Sequence, residues 1–312
     1  MTMTIRSLLA AGSALALGLA VPALAQDAPA VPAADTQIPL EQAVVAGPAL
    51  WKVADEDTTI YLFGTVHALP EGTVWFTGPV EQALESSDVL VTEILATPDA
   101  QARMQKILRE IAILPEGQAL RGVLDDGQRA TFEAAMAKVN MPPESFDRFE
   151  PWYAAMMFSM LPLLQQGYSA EIGVEKVLEK AAADNSMGRQ ELETLEFQMG
   201  VFDNLPPESQ VAFMMEAVEG VDDIKAVLDE MVAEWSEGDA EALAALINEG
   251  FSDPALAEAL LYSRNRTWAA WIDERMDVPG TVFMAVGAGH LAGRQSVQDL
   301  LAERGIASER VQ

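Results

Sequence analysis

The sequence predicts a mixed α/β fold: a central, largely parallel sheet built from the N- and C-terminal segments, with a large helical middle region as cap. Three observations carry this. First, Thr59-Ile60-Tyr61-Leu62-Phe63-Gly64-Thr65-Val66-His67 and Thr281-Val282-Phe283-Met284-Ala285-Val286-Gly287-Ala288-Gly289-His290 are apolar runs that end in the same Gly-x-x-His. Such β-branched and aromatic runs read as buried strands. Second, residues 50–94 follow a β-loop-α-β order, the order a parallel sheet requires. Third, residues 98–276 are mostly helical in pattern, so the strands lie on either side of them.

In chain order, residues 1–25 have the layout of a signal peptide. Arg6 supplies the positive end, Leu8 to Val21 the apolar core, and Ala23-Leu24-Ala25 a small-residue cleavage site. The apolar core is too short for a membrane span. The expected location is therefore periplasmic or secreted, after cleavage near Ala25. Residues 26–47, with Pro29, Pro32 and Pro39, read as a flexible lead-in, leaving residues 48–312 as one domain. Leu50–Val53 and Thr58–Phe63 read as a hairpin around Asp55-Glu56-Asp57. A loop with Pro70, Gly72 and Gly78 leads to a short helix over 79–87, which presents Val80, Ala83 and Leu84 on one face, and then to a strand over Asp88–Ile94. Helices follow over 98–113, 126–139, 150–167, 171–184, 207–233, 239–249 and 254–276, with Pro142-Pro143 and Pro206-Pro207 as breaks. A short strand interrupts them within Gly188–Leu195. An amphipathic helix over 293–303 follows the last strand.

Composition excludes several functions. With 48 acidic residues and 19 basic ones, loss of Arg6 with the signal leaves 18 bases and a net charge of −30. That field repels nucleic acid and anionic lipid. No later apolar stretch is long enough for a transmembrane span in the mature chain. The absence of cysteine removes disulfides, thiolate catalysis and cysteine zinc sites. No Walker motif, Gly-x-Gly-x-x-Gly fingerprint, Gly-x-Ser-x-Gly elbow or His-Glu-x-x-His occurs.

The chemistry is concentrated in the two Gly-x-x-His units. His67 and His290 are the only histidines, and each follows a strand, where α/β folds gather their ligands. Gly64 and Gly287 are expected to shape the turns. Glu93 ends a third strand amid apolar neighbours, where a carboxylate needs a partner or a metal. Two imidazoles and a carboxylate make a ligand set for a divalent metal: zinc, manganese, cobalt or iron. Arg264 is placed to orient a carboxylate or stabilise a developing oxyanion, whereas Arg266 reads as a surface ion pair. Glu193, next to the short middle strand, is a secondary site residue. Met156, Met157, Met160, Met214 and Met215 read as packing.

These residues resemble the TraB/PrgY/GumN family, which includes the Tiki metalloproteases. The likeness runs through Leu50-Trp51-Lys52-Val53, Tyr61 to His67, Leu90-Val91-Thr92-Glu93, Leu192-Glu193-Thr194, Arg264-Asn265-Arg266 and Ala285 to Leu291, about residues 49–305. It implies a metal-dependent hydrolase, peptidase-like, with His67, His290 and Glu93 around the metal and Arg264 as cationic partner. Glu93 acts as ligand or as general base. Gly173-Val174-Glu175 stands where family members often carry Gly-hydrophobic-Asp, and the longer acid leaves its role open. A peptide or protein substrate is the expected partner. Two other readings stand beside it: a non-catalytic protein that uses the same cleft to bind peptide, metal or haem, and an envelope accessory factor acting by contact, which would survive mutation of both histidines.

Overall fold

The computed structural model describes residues 47–165, 168, 173–248 and 253–312. The expected signal peptide, the expected lead-in apart from residue 47, and the starts or ends of the helices expected over 150–167, 171–184 and 239–249 lie outside the described residues. Six strands form one sheet: β1 (Leu50–Ala54), β2 (Thr58–Thr65), β3 (Val89–Thr92), β4 (Gly188–Glu191), β5 (Gly280–Gly287) and β6 (Glu309–Arg310). Their order is β4-β3-β5-β2-β1-β6. The four strands from β4 to β2 are mutually parallel, and the hairpin partner β1 runs antiparallel between β2 and β6. The C-terminal strand β5 thus lies between β2 and β3 and joins them into one sheet.

Alternation along β5 explains why both faces are covered. Phe283 and Ala285 join Phe63, Leu90 and Leu50 in the core shared with the helical cap. Val282, Met284 and Val286 join Ile60, Leu62 and Val91 against Trp268, Ile272 and Leu301. A parallel sheet buried on both faces needs this near-continuous apolar composition, which the sequence shows.

The helices are α1 (Gly78–Glu85), α2 (Ala100–Ile111), α3 (Leu120–Val123), α4 (Asp126–Lys138), α5 (Pro151–Gln165), α6 (Val174–Asp184), α7 (Leu195–Asp203), α8 (Pro207–Glu219), α9 (Ile224–Glu237), α10 (Ala240–Asn248), α11 (Pro254–Ala257), α12 (Ser263–Met276) and α13 (Val297–Glu303). Several expectations need correction. The helix expected over 207–233 is two, because the chain turns over residues 220–223 between α8 and α9. The stretch Gly188–Leu195 is strand only through Glu191, and Leu195 opens α7, a helix the punctuation did not announce; Thr194 caps it by accepting from Phe197 N–H. The helix over 254–276 contains a π-turn at Glu258–Tyr262. The strand over 88–94 is Val89–Thr92, which leaves Glu93 one residue beyond it. The helix over 293–303 begins at Val297, capped by Ser296.

The methionines pack as expected: Met156, Met214 and Met215 are buried, and Met157 and Met160 are half-buried against the same core. Among the described residues, no helix is long and apolar enough to cross a membrane.

Candidate functional site

Sheet order sets out the site. At the carboxyl ends of β4, β3, β5 and β2, taken across the sheet, stand Glu193, Glu93, His290 and His67. Parallel pairing continues past the strands: Leu192 N–H donates to Thr92 O at 2.9 Å and Glu193 N–H to Glu93 O at 2.9 Å. The two glutamates are therefore held side by side by the backbone itself.

Arg264, from α12, occupies the centre. Its Nε donates to Glu193 Oε1 at 2.9 Å, and its Nη2 to Glu93 Oε2 at 2.6 Å and Glu193 Oε2 at 2.8 Å. Nη1 donates to Leu260 O at 3.1 Å, a carbonyl of the π-turn, and lies 3.2 Å from His290 Nε2. A guanidinium has five N–H donors, and this arrangement employs all of them. Trp268, one turn along α12, lies under the guanidinium at 4.8 Å and donates Nε1–H to Glu193 Oε1 at 3.0 Å. Gln198, from α7, donates Nε2–H to Glu93 Oε2 and Glu193 Oε2, each at 2.9 Å. Its Oε1 is buried without a partner.

Glu93 Oε1 accepts from Gly287 N–H at 2.7 Å and lies 4.0 Å from His290 Nε2. Burial alone would raise this carboxyl, but the Arg264 charge, His290 and the Gly287 N–H outweigh it and hold it at about 2. His290 is pushed down to about 3, first by burial and then by the Arg264 charge, so it is a neutral imidazole. Its tautomer follows from its neighbours. Asn265 Nδ2 donates to Gln295 O at 2.8 Å, which turns Asn265 Oδ1 towards His290 Nδ1 at 2.6 Å. The proton therefore sits on Nδ1, and Nε2 offers its lone pair to the centre.

His67 lies at the mouth, with 16% of its side chain exposed against 1% for His290. Its Nδ1 stands 2.6 Å from Glu175 Oε1 at the start of α6. The ring is turned off the line of a good hydrogen bond, and Nε2 is buried without a partner. Burial works against protonating His67, yet the Glu175 carboxylate and, more weakly, Glu93 raise it above its ordinary value. Burial likewise opposes ionisation of Glu175, and His67 together with Thr65 lowers it.

All of the expected site residues, His67, His290, Glu93, Glu193 and Arg264, therefore meet at one end of the sheet. Arg266 does not: it is exposed and paired with Glu258. Gly64 and Gly287 are placed as expected but act differently. Neither has the positive φ of a glycine turn. Gly64 is the point of close approach: a Cβ there would lie 3.0 Å from Ala288 Cα, in the 3-10 turn Ala288–Leu291 that carries His290. Gly287 supplies its N–H to Glu93.

Sequence reasoning missed Gln198, Trp268 and the roles of Asn265 and Glu175. A signal existed for Gln198, a polar residue on the stripe formed by Leu195, Met199 and Phe202. Trp268 stands four places after Arg264, on the same helix face.

Donor chemistry suits a divalent cation: two imidazoles with an Nε2 lone pair, that of His67 without a partner and that of His290 facing Arg264 Nη1, and a carboxylate held ionised. With both imidazoles neutral, three carboxylates face one guanidinium, a net charge of −2; protonating His67 makes it −1. Among the described residues, however, no three His, Asp or Glu side chains converge closely enough to hold one ion. Arg264 Nη1 stands on the lone pair of His290.

Comparison with known proteins gives two results. The profile of the TraB/PrgY/gumN family matches residues 49–310. The uncharacterized protein YbaP of Escherichia coli (strain K12) is 23% identical over 242 residues, 77% of this chain and 87% of its own length, and YbaP of Shigella flexneri gives the same figures. No solved structure matches.

Proposed function

The chain belongs to the TraB/PrgY/gumN family, and from that premise we propose that it is an exported, periplasmic or secreted, metal-dependent hydrolase acting on a peptide bond. The observation that carries this reading is the excess of negative charge in a cluster where both histidines keep an Nε2 lone pair. His67, His290 and Glu93 would hold the ion. Zinc, manganese, cobalt or iron there would acidify water and polarise a carbonyl.

What the chain's own groups do can be argued from their environment. A carboxyl held at about 2 is too weak a base to take protons near neutral pH, so Glu93 serves as a ligand rather than a general base. Glu193, Gln198 and Trp268 fix the guanidinium in one orientation. Once His290 Nε2 has another partner, one Nη1–H of Arg264 is released, and that donor is the one available to a developing oxyanion.

The test is elemental analysis of the purified mature chain beside His67→Ala and His290→Ala. A stoichiometric divalent metal in the parent and its loss in both variants is expected. Unchanged metal in either variant removes that histidine from the site. A second reading, a binding protein without turnover or an envelope factor acting by contact, is favoured by one observation: Arg264 has no free donor and already satisfies Glu93 and His290. Metal uptake without cleavage of a peptide library would favour that reading.

A further inference from the structure

Each imidazole of the site is approached from behind by a side chain of a distant segment, and the two cases differ in kind. Behind His290 stands the neutral amide of Asn265. Behind His67 stands a carboxylate, Glu175, two residues into α6 from its Gly173 cap.

The placement of Glu175 is built into the fold. Val174 N–H, one of the first helical donors and without a partner inside its own helix, donates to Val66 O at 3.2 Å. That bond ties the first turn of α6 to the residue before His67, and so brings Glu175 Oε1 to 2.6 Å from Nδ1. Val174 is fully buried and anchors the same turn from its apolar side. The ring is turned off the ideal line, so this is a close electrostatic contact and not a well-formed hydrogen bond; an imidazole lone pair and a carboxylate oxygen at this separation would repel each other, which favours the tautomer with its proton on Nδ1, towards the carboxylate. Nε2 is then left with the lone pair, buried and unpartnered.

We propose that Glu175 is the positioning residue for His67: it holds the proton on Nδ1 and thereby keeps Nε2 as the ligating atom at the mouth of the site. The inference rests on the metal-hydrolase reading only for what Nε2 does; the tautomer is a property of the metal-free chain. A carboxylate behind a histidine is also the arrangement that raises ligand basicity, and losing such a partner typically weakens metal binding about 10- to 100-fold.

Because the chain has two histidines, long-range proton–nitrogen NMR of the metal-free protein at pH 9 reads each tautomer separately, and a His67→Asn variant assigns them. The parent and Glu175→Gln, whose amide oxygen still accepts, are expected to keep the His67 proton on Nδ1. Glu175→Ala is expected to move it largely to Nε2, and to weaken zinc binding about 10- to 100-fold in titrations, with unchanged far-UV circular dichroism. A parent with the proton on Nε2, or a folded Glu175→Ala that keeps it on Nδ1, would overturn the proposal. A parent that shows the Nδ1 proton and its loss in Glu175→Ala but takes up no zinc would uphold the positioning role while defeating the hydrolase reading.

Discussion

Arg264 shows how a single side chain can specify a site. Its five donors close on two carboxylates, a carbonyl and an imidazole, so removing it strands Glu93 and Glu193 as buried, uncompensated charges. Arg264→Met should cost about 3–5 kcal/mol of stability in urea titrations, and adding Glu93→Gln and Glu193→Gln should restore part of the loss. A full-sized loss that survives neutralising both acids would contradict this account. Gly64 makes a different demand. Gly64→Ala puts a methyl 3.0 Å from Ala288 Cα and should cost about 1–3 kcal/mol, with His290 displaced along with its turn, visible as a shift of its NMR signals. The sequence pointed to His67 and His290 because histidine is rare in it, and to Gly64 and Glu93 because they stand at the ends of apolar runs. Glu175 gave no such contrast, acids being plentiful on helices, and Gln198 only its place on an apolar stripe; the fold reveals which of them face inward.

Strands with strong apolar runs, β2 and β5, were legible to within a residue or two, whereas β4, Gly-Arg-Gln-Glu with every residue exposed, carried little hydrophobic signal of its own. It is a strand because β3 offers it a parallel edge. The π-turn before α12 was likewise invisible, since its pattern reads as ordinary helix, yet it supplies the Leu260 carbonyl to Arg264 and fits the tendency of such turns to occur at functional sites. The start of α6 makes an element-level test possible. Proline is well tolerated at a first helical position, so Val174→Pro should leave helix content unchanged by circular dichroism while deleting the N–H that reaches Val66 O. A loss of about 1 kcal/mol is expected, along with slackened contact between Glu175 and His67. Unaltered His67 resonances in that variant would show that the tie is dispensable.

Across the whole molecule, the buried site makes acid the natural stress. His290 titrates at about 3 instead of the ordinary 6.5, and Glu93 at about 2 instead of 4.5. In each case the unfolded chain binds protons before the native one does. The stability these two groups contribute to the metal-free protein should therefore be complete above about pH 6.5 and fall as pH drops, first through the histidine window down to 3 and then through the glutamate window from 4.5 to 2, whereas the contribution of His67, raised above its ordinary value, is present below 6.5 and lost as pH climbs. The slope should not exceed about 1.4 kcal/mol per pH unit for each group; melting temperatures measured from pH 7 to 3 in chelator would check it, and a flat profile would show that neither group is shifted. The mixed α/β architecture and the joining of chain ends were readable from the order of strand-like and helix-like stretches, but the sheet order was not, because no local pattern says which strand sits in the middle. That middle strand is β5, nearly the last to be synthesised. Until it is inserted, the β1–β2 hairpin and the β3–β4 pair have no edge in common, so a nascent chain halted before residue 280 holds two half-sheets and no assembled site. Folding must then wait for the far end of the polypeptide, a long-range closure that is intrinsically slow and leaves the unfinished chain in need of protection from aggregation.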